Sequence, residues 1–482
     1  MKLTAIMEGI KMNSIKGNIN TEINKIVYDS RKVQKGDVFV CISGFKTDGH
    51  NYVPMAVEKG ACAVVAEREI DVPEYITLLT VENTRASLAK MGANYYENPS
   101  RKMNIIGVTG TNGKTSTTYI IKNILDKLDR KVGIIGTIEN RIGDKVLHTE
   151  RTTPESLELQ ALLAQMVDEG VTDVVMEVSS HALDLHRVDC CEYNVAIFTN
   201  LTQDHLDYHK TMENYKIAKG KLLERTDKCV INIDDNFGEY MKSVSKGSVI
   251  TIGIENEADL KAENIRIDAD GVYFRLDYKN KEYPIHLNIP GKFSIYNALG
   301  CIGACLFMGI DMDTIIDGIS SIKGVKGRFQ TIKGPFGANA IVDYAHTPDS
   351  LENILNTARE FVAGRIITVF GCGGDRDRTK RPIMGEIGGR LSDLCIITSD
   401  NPRSEDPERI LDDIEEGIKR TSCEYKREAD RRKAIFEAVN SANKGDLIIV
   451  AGKGHEDYQI FPDRTIHFDD AEVVREAFGE DF

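Results

Sequence analysis

Nine residues, Gly107-Val-Thr-Gly-Thr-Asn-Gly-Lys-Thr115, have the types and spacing for chemistry on phosphate. A glycine-rich turn between a strand and a helix presents successive backbone N–H groups and a helix N-terminus, which together favour an anion. Gly110, Thr111, Asn112 and Gly113 would form the cradle. Lys114 adds a positive point charge for the outer phosphates, and the Thr115 hydroxyl, with Ser116 following, can reach Mg²⁺. Five residues rather than four separate Gly107 from Gly113, so the loop departs from the generic phosphate-loop pattern. Gly-Lys-Thr at a strand-to-helix junction nonetheless has few other uses. The flanks fit, with apolar Met103 to Val108 before the loop. After it, Ile120, Ile121, Ile124, Leu125 and Leu128 share one helical face. The chain reads as a binder of a nucleoside triphosphate.

Other groups could complete such a site. Asp173-Val-Val-Met-Glu177 is an apolar strand ending in a carboxylate, where Mg²⁺ can be held beside a phosphate loop. The apolar run Val195 to Thr199 leads into Asn200-Leu-Thr-Gln-Asp-His-Leu-Asp-Tyr-His209, a density of ligand-capable groups that marks the carboxyl edge of a sheet. Any single histidine there is more often a hydrogen-bonded structural residue. Asp400-Asn401-Pro402-Arg403 follows another apolar strand, Leu394 to Thr398. Its bland alternative is a turn opened by Asn-Pro.

The elements that must position these groups fall into three blocks: 1–100, 101–324 and 325–482. The first has short β-rich pieces (Lys25 to Tyr28, Asp37 to Ile42, Ala63 to Val65) and a helix near Val53 to Lys59. In the second, strands at Val132 to Ile138, Asp173 to Val178, Val195 to Thr199 and Cys229 to Ile233 alternate with helices, which signals a doubly wound, mostly parallel sheet. Val272 to Leu287 alternates like a hairpin, so part of the sheet is expected to be antiparallel. Gly324-Val-Lys-Gly327 reads as a hinge before a second, Rossmann-like α/β series through Ala340 to Val342, Arg365 to Phe370, Asp393 to Thr398 and Asp446 to Val450.

Composition narrows the class. A chain of 482 residues with net charge −14 argues against nucleic acid or an anionic membrane surface as partner. No apolar run reaches the roughly 18 residues of a membrane span. The N-terminus lacks a secretory pattern, and ten scattered cysteines without a C-x-x-C pair suit a reduced cytoplasmic enzyme.

Taken in order, Gly-Thr-Asn-Gly-Lys-Thr (110–115), Met-Glu-Val-Ser-Ser-His (176–181), Asp-His-Leu-Asp-Tyr-His (204–209) and Val-Asp-Tyr-Ala-His-Thr-Pro-Asp (342–349) resemble the Mur ligases, ATP-dependent amide-forming enzymes of peptidoglycan precursor synthesis. Asp29-Ser30-Arg31, Phe-Gly-Cys-Gly-Gly-Asp-Arg-Asp (370–377), Lys380-Arg-Pro and Ala-Gly-Lys-Gly-His-Glu-Asp-Tyr-Gln (451–459) make it similar to the branch adding the third residue of the stem peptide. The resemblance implies three domains, binding UDP-N-acetylmuramoyl-L-alanyl-D-glutamate, Mg-ATP and the incoming amino acid in turn, with closure about the hinge. It implies a monomer. It places Ser30, Thr152, Thr153, Ser179 and Arg187 on the UDP-substrate, although Leu185 stands where the family often has Gln. It implies Lys114, Glu177, His205 and Lys219 as catalytic, with Thr115, Glu177, His205 and carbamylated Lys219 (from Tyr-x-x-Ala-Lys, 215–219) around Mg²⁺. Asn297, Arg328 and Asp343 would join the loop in binding ATP, although Ser294 replaces the first residue of the family's Asn-x-x-Asn. Asp400, Asn401, Pro402 and Arg403 resemble the signature of members using meso-diaminopimelate, with Arg376, Gly452 and Glu456 completing that site. The physics agrees, since Arg403 offers a bidentate fork for the second carboxylate, which lysine lacks. The rivals are an L-lysine-adding ligase of the same family, a folylpolyglutamate synthase, which gives no reason for the first block, and a regulatory nucleotide-binding module without ligase activity, which would not need the residues around Arg376 and Glu456.

Overall fold

The computed structural model describes residues 1–44, 47–149 and 151–479. They form two compact units, one of Met1–Lys114, Leu125–Thr251 and Gly303–Ile310, the other of Thr115–Ile124, Ile252–Ile302 and Asp311–Phe482.

In the first unit a small sheet runs in the order Met12–Lys16, Thr77–Val81, Ala63–Ala66, Val38–Val40, Ile26–Val27, antiparallel only at the first pair. The larger sheet places Asn104–Thr109 between Val195–Phe198 and Asp173–Glu177, with Lys228–Asn232 beyond one and Val132–Ile135 beyond the other, all parallel. Two short antiparallel strands, Asn140–Ile142 and Lys145–Leu147, close that edge. Asp173–Glu177 and Val195–Phe198 are buried at every position, as continuous apolar runs covered on both faces require. Register then aligns the strand ends: Glu177 pairs with Val108, Phe198 with Thr109 and Met176 with Ile135. The phosphate loop, Gly136–Thr137, Val178–Ser179 and Thr199–Asn200 therefore leave the sheet along one carboxyl edge, where open α/β sheets bind ligands.

In the second unit, Leu260–Asp268, Gly271–Tyr278 and Lys281–Leu287 form an antiparallel meander, the expected hairpin included. A six-stranded sheet comes next, in the order Gln330–Lys333, Asn339–Asp343, Leu447–Ala451, Ile366–Phe370, Leu394–Ile397, Glu424–Arg427, parallel after its first pair. Helix starts carry their local signals: Thr347 and Ser350 make a capping box with Pro348 at the first turn, and Asp406 caps a helix opened by Pro407. Asp343 pairs with Ala451 and Phe370 with Ile397, so 371–376, 398–403 and 452–456 also share a carboxyl edge. The expected hinge glycines both take positive φ, and Val325 and Arg328 bridge between them. The α/β class holds throughout. Strands Met12–Lys16 and Thr77–Val81 and the helix Thr84–Tyr95 went unforeseen, being short or weakly amphipathic.

Candidate functional site

The phosphate loop is stapled to the segment leaving the neighbouring strand. Thr111 N donates to Asn200 O (2.8 Å) and Asn112 N to Asn200 Oδ1 (2.9 Å), while Thr199 Oγ1 donates to Asn112 O (2.6 Å). Gly110 sits at φ 151°, and a Cβ there would collide with Thr199 Oγ1, so only glycine fits. Gly113 is also left-handed, at φ 86°. Lys114 Nζ donates to the carbonyls of Gly110 (2.9 Å) and Thr111 (2.8 Å), curling its charge over the loop. Thr115 and Ser116, next in the chain, are buried at the start of the helix Lys114–Asp126.

Lys219 does not lie on a solvated helix face. It is buried, its Nζ donates to Gly110 O (2.7 Å) and stands 4.7 Å from the centre of the Tyr215 ring. Burial, reinforced by the nearby charge of Lys114, pulls its amine well below the ordinary lysine range. Tyr215 OH lies 3.1 Å from Thr111 Oγ1, joining this helix to the loop. Thr211 caps the helix by accepting from Asn214 N. Around it pack His181, His205, His209 and Tyr208, with His181 4.8 Å from His205 and 5.5 Å from His209. Burial lowers all three histidines, His181 to about 4. His205 adopts φ 53°, a strained position of the kind found at functional sites.

Glu177 anchors a second chain of contacts. Its carboxylate is buried and accepts from Thr137 N (2.9 Å) and Thr137 Oγ1 (2.9 Å), with no cation paired to it among the described residues. Thr152 Oγ1 lies 3.1 Å from Thr137 Oγ1; Thr153 Oγ1 donates to Glu177 O (2.9 Å) and to Ser179 Oγ (3.3 Å); Arg187 NH1 donates to Thr153 O (3.3 Å). Four of the five residues expected on the UDP-substrate are thus linked to Glu177 through Thr137 and Thr153. Ser30 stands elsewhere, in the first sheet's layer, its hydroxyl donating to Met55 Sδ (3.4 Å). Leu185, the departure from the family's Gln, caps the short helix Ser180–Asp184. Among the described residues no three carboxylate, imidazole or thiol groups gather on one point. Glu177 and the segment carrying His205 leave the same carboxyl edge of the sheet, and a carboxylate whose oxygens meet only the neutral donors of Thr137 is the oxygen ligand a hard cation takes.

In the second unit, Asp343 is half-buried, its carboxyl raised by desolvation, and it accepts from Phe329 N (2.7 Å). Arg328 stacks 4.9 Å over Tyr344, its Nε buried without a partner among the described residues. Asn297 is buried in the helix Lys292–Phe307, where Ser294 donates to Pro290 O (3.0 Å) rather than outward. The six-stranded sheet's edge gathers the remaining residues. Asn401 Nδ2 donates to Glu456 Oε2 (2.8 Å). Gly452 takes φ 120°, and a Cβ there would stand 2.7 Å from Asp400 Oδ2. Arg403, at φ 54°, reaches over Gly373 to donate through NH1 to Gly374 O (2.9 Å) and Asn401 O (3.4 Å), and among the described residues the other nitrogens of its fork make no hydrogen bond. Pro402 is buried beneath it, and Arg376 is exposed on the facing loop.

Several supporting residues escaped the sequence reading. Lys453, fully buried, donates to Glu456 Oε2 (3.1 Å) and Asn401 Oδ1 (3.3 Å) and so sets the orientation of both. Arg381, also buried, grips Glu405 and Asp413 and donates to Gly373 O (3.2 Å), holding Glu405 down to about 2. The buried pair Arg431–Asp470 (2.7 Å) reaches the carbonyls of Ser399 and Ala451, beneath both binding loops. Arg381 was signalled by Lys380-Arg-Pro and Lys453 by Gly-Lys-Gly-His-Glu; Arg431 had no local signal.

Three family models match the chain: "Mur ligase family, catalytic domain" at 22–103, "Mur ligase middle domain" at 108–305 and "Mur ligase, glutamate ligase domain" at 327–454. A Clostridium botulinum protein named UDP-N-acetylmuramoyl-L-alanyl-D-glutamate–2,6-diaminopimelate ligase is 53% identical over 485 residues, covering 100% of both chains. A Caldanaerobacter subterraneus protein of the same name is 50% identical over 100% of this chain and 99% of its own. A solved structure bearing that enzyme name aligns with TM-score 0.72 at 31% identity over 99% of each chain. At 19% identity, a MurF ligase from Thermotoga maritima in complex with ADP shares the fold, with TM-score 0.62 over 95% of this chain and 98% of its own.

Proposed function

The chain belongs to the Mur ligase family, and from that premise we propose that it is the ATP-dependent ligase joining meso-diaminopimelate to the D-glutamate of UDP-N-acetylmuramoyl-L-alanyl-D-glutamate in peptidoglycan precursor synthesis. The observation that carries the choice of amino acid is Arg403, whose NH1 is tied to the carbonyls of Gly374 and Asn401 on the edge that also holds the Asn401–Glu456 pair. Meso-diaminopimelate is lysine with an added carboxylate on its far end. A planar fork matches that carboxylate, whereas lysine would set an ammonium against a guanidinium. Losing a charge-assisted pair in a closed site costs about 2–5 kcal/mol, or roughly 30- to 5,000-fold in selectivity.

The chemistry has two stages. A carboxylate does not form an amide directly because hydroxide is too poor a leaving group, so the γ-carboxylate of D-glutamate takes the γ-phosphoryl of ATP and becomes an acyl phosphate. The diaminopimelate amine attacks its carbonyl, phosphate leaves, and the amine's proton goes to a base. Both reactants of the first stage are anions; Lys114 and the loop's N–H groups offset their repulsion. Mg²⁺, when bound by Thr115, Glu177, His205 and Lys219 as its carbamate, would neutralise charge on the triphosphate. Carbamylation needs an uncharged amine, which the buried setting of Lys219 supplies. Asn297, Arg328 and Asp343 serve the nucleotide, and Ser30, Thr152, Thr153, Ser179 and Arg187 the UDP-substrate. The three parts we assign are 1–100 for UDP-substrate, 101–324 for ATP and 325–482 for the amino acid, in a cytoplasmic protein.

Phosphate release tests this reading. It should require ATP, the UDP-dipeptide and an amino acid together, and run far faster with meso-diaminopimelate than with L-lysine. Release independent of either co-substrate would refute the ligase, and equal rates with the two amino acids would refute the assignment of diaminopimelate.

A further inference from the structure

Three arginines from separate stretches of the first unit meet on one carboxylate. Glu155 Oε1 lies 2.5 Å from Arg151 NH1 and 3.0 Å from Arg187 NH2, and its Oε2 lies 3.5 Å from Arg85 NH1. Arg85, Arg187 and Glu155 keep only 19%, 13% and 14% of their side-chain surface exposed, so solvent screens these two cations and their shared carboxylate weakly, while Arg151 closes the cluster from its half-exposed rim. Three guanidiniums against one carboxylate leave the cluster with excess positive charge. Like charges at such spacing repel unless an anion holds them. The carboxylate one helical turn beyond, Glu158, accepts from Tyr28 OH (2.6 Å), and among the described residues no ion pair joins it to the arginines.

Two further details mark the cluster as incomplete. Arg187 Nε is buried and has no hydrogen-bond partner among the described residues, a cost that native structures seldom leave standing. Glu155 occupies the cap position of the helix Ser156–Asp168, yet its side chain makes no capping bond and turns to the arginines instead. Arg187 also reaches Thr153 O, which ties the cluster to the Glu177 chain of contacts. We propose that Arg85, Arg151 and Arg187 form one carboxylate subsite, filled by Glu155 as an internal stand-in until a carboxylate of the substrate displaces it. This rests on the function proposed above and identifies the group read as the dipeptide's free α-carboxylate, since the γ-carboxylate is consumed. A carboxylate is favoured over the nucleotide's diphosphate because a planar two-oxygen anion is what the three guanidiniums already hold.

The test compares Arg85→Gln, Arg151→Gln and Glu155→Gln with the unaltered protein. Its readouts are apparent KM for the UDP-dipeptide, its α-carboxamide analogue, ATP and diaminopimelate, together with the inhibition constant of UDP. Each arginine variant should raise KM for the UDP-dipeptide at least about fivefold and lose discrimination against the α-carboxamide, with the ATP and UDP constants unmoved. Glu155→Gln should lower that KM about twofold or more, because a competing carboxylate is removed. A Glu155→Gln variant that binds worse, as a scaffold would, overturns the proposal, as does an unchanged KM in both arginine variants. A UDP constant that rises in step reassigns the cluster to the diphosphate and also overturns it. Where glutamine destabilises the fold, Arg85→Lys keeps the charge and should retain most of the affinity. Calorimetric binding of the UDP-dipeptide reads the subsite without turnover, so a failure of the proposed reaction and a failure of the subsite give different results.

Discussion

Lys219 and Arg403 show how far one side chain's setting determines what it can do. A lysine held off water beside a second lysine loses its proton readily, and a neutral amine is the form that takes up CO₂. Lys219→Ala is expected to abolish turnover, and high bicarbonate should not restore it; a variant keeping most of the original rate would remove the assignment. Arg403 has one nitrogen tied to the Gly374 carbonyl, so its position is set before any ligand arrives. Arg403→Ala should raise the apparent KM for meso-diaminopimelate roughly 30-fold or more, in line with a lost charge-assisted pair, and leave that for ATP within about twofold. Equal increases for both substrates would show a general defect instead.

At the scale of elements, the histidine cluster and the buried ion pair make opposite kinds of contribution. His181 is held near 4 in the folded protein against 6.5 in the open chain, mainly by burial and next by His205. Between those values the unfolded chain binds more protons, so stability is present above about pH 6.5 and falls as the pH drops toward 4. The loss should be on the order of 1 kcal/mol after allowance for solvent screening. Urea unfolding at pH 7.5 and pH 5 measures it, and His181→Gln should flatten the difference; stability that rises on acidification would contradict the sign. Arg431 and Asp470 instead bind two strand ends from below, through the carbonyls of Ser399 and Ala451. Arg431→Met leaves Asp470 buried without its partner and should cost about 3–5 kcal/mol, read as a lowered denaturation midpoint. A shift under about 1 kcal/mol would mean water reaches the site.

For the whole molecule, the large exposed apolar side chains, such as Ile15, Tyr75, Val146, Ile217 and Ile383, come from separate stretches of the chain, and single exposed apolar residues need no partner to cover them. We expect the protein to sediment as a single chain across micromolar concentrations; a concentration-dependent dimer would contradict this. No helix among the described residues is long and apolar enough to cross a membrane.

Much of this was legible in the residues alone. The phosphate loop announced itself because glycine spacing and a Gly-Lys-Thr turn are local backbone demands. The parallel sheets did likewise, because strands covered on both faces must be apolar throughout. Arg403 could be singled out because its position after an apolar strand already placed it at a carboxyl edge. The features that stayed open depend on contacts between residues far apart in the chain. Four lysines between Lys210 and Lys221 look alike in sequence, and only packing against Gly110 and Tyr215 removes Lys219 from water. Arg85, Arg151 and Arg187 carry no shared pattern; they meet on Glu155 because separate segments of one unit fold together. Arg431 likewise gains its role from strand ends twenty and thirty-two residues away. Backbone conformation and hydrophobic pattern are written locally, whereas burial and charge pairing exist only once the chain has closed on itself.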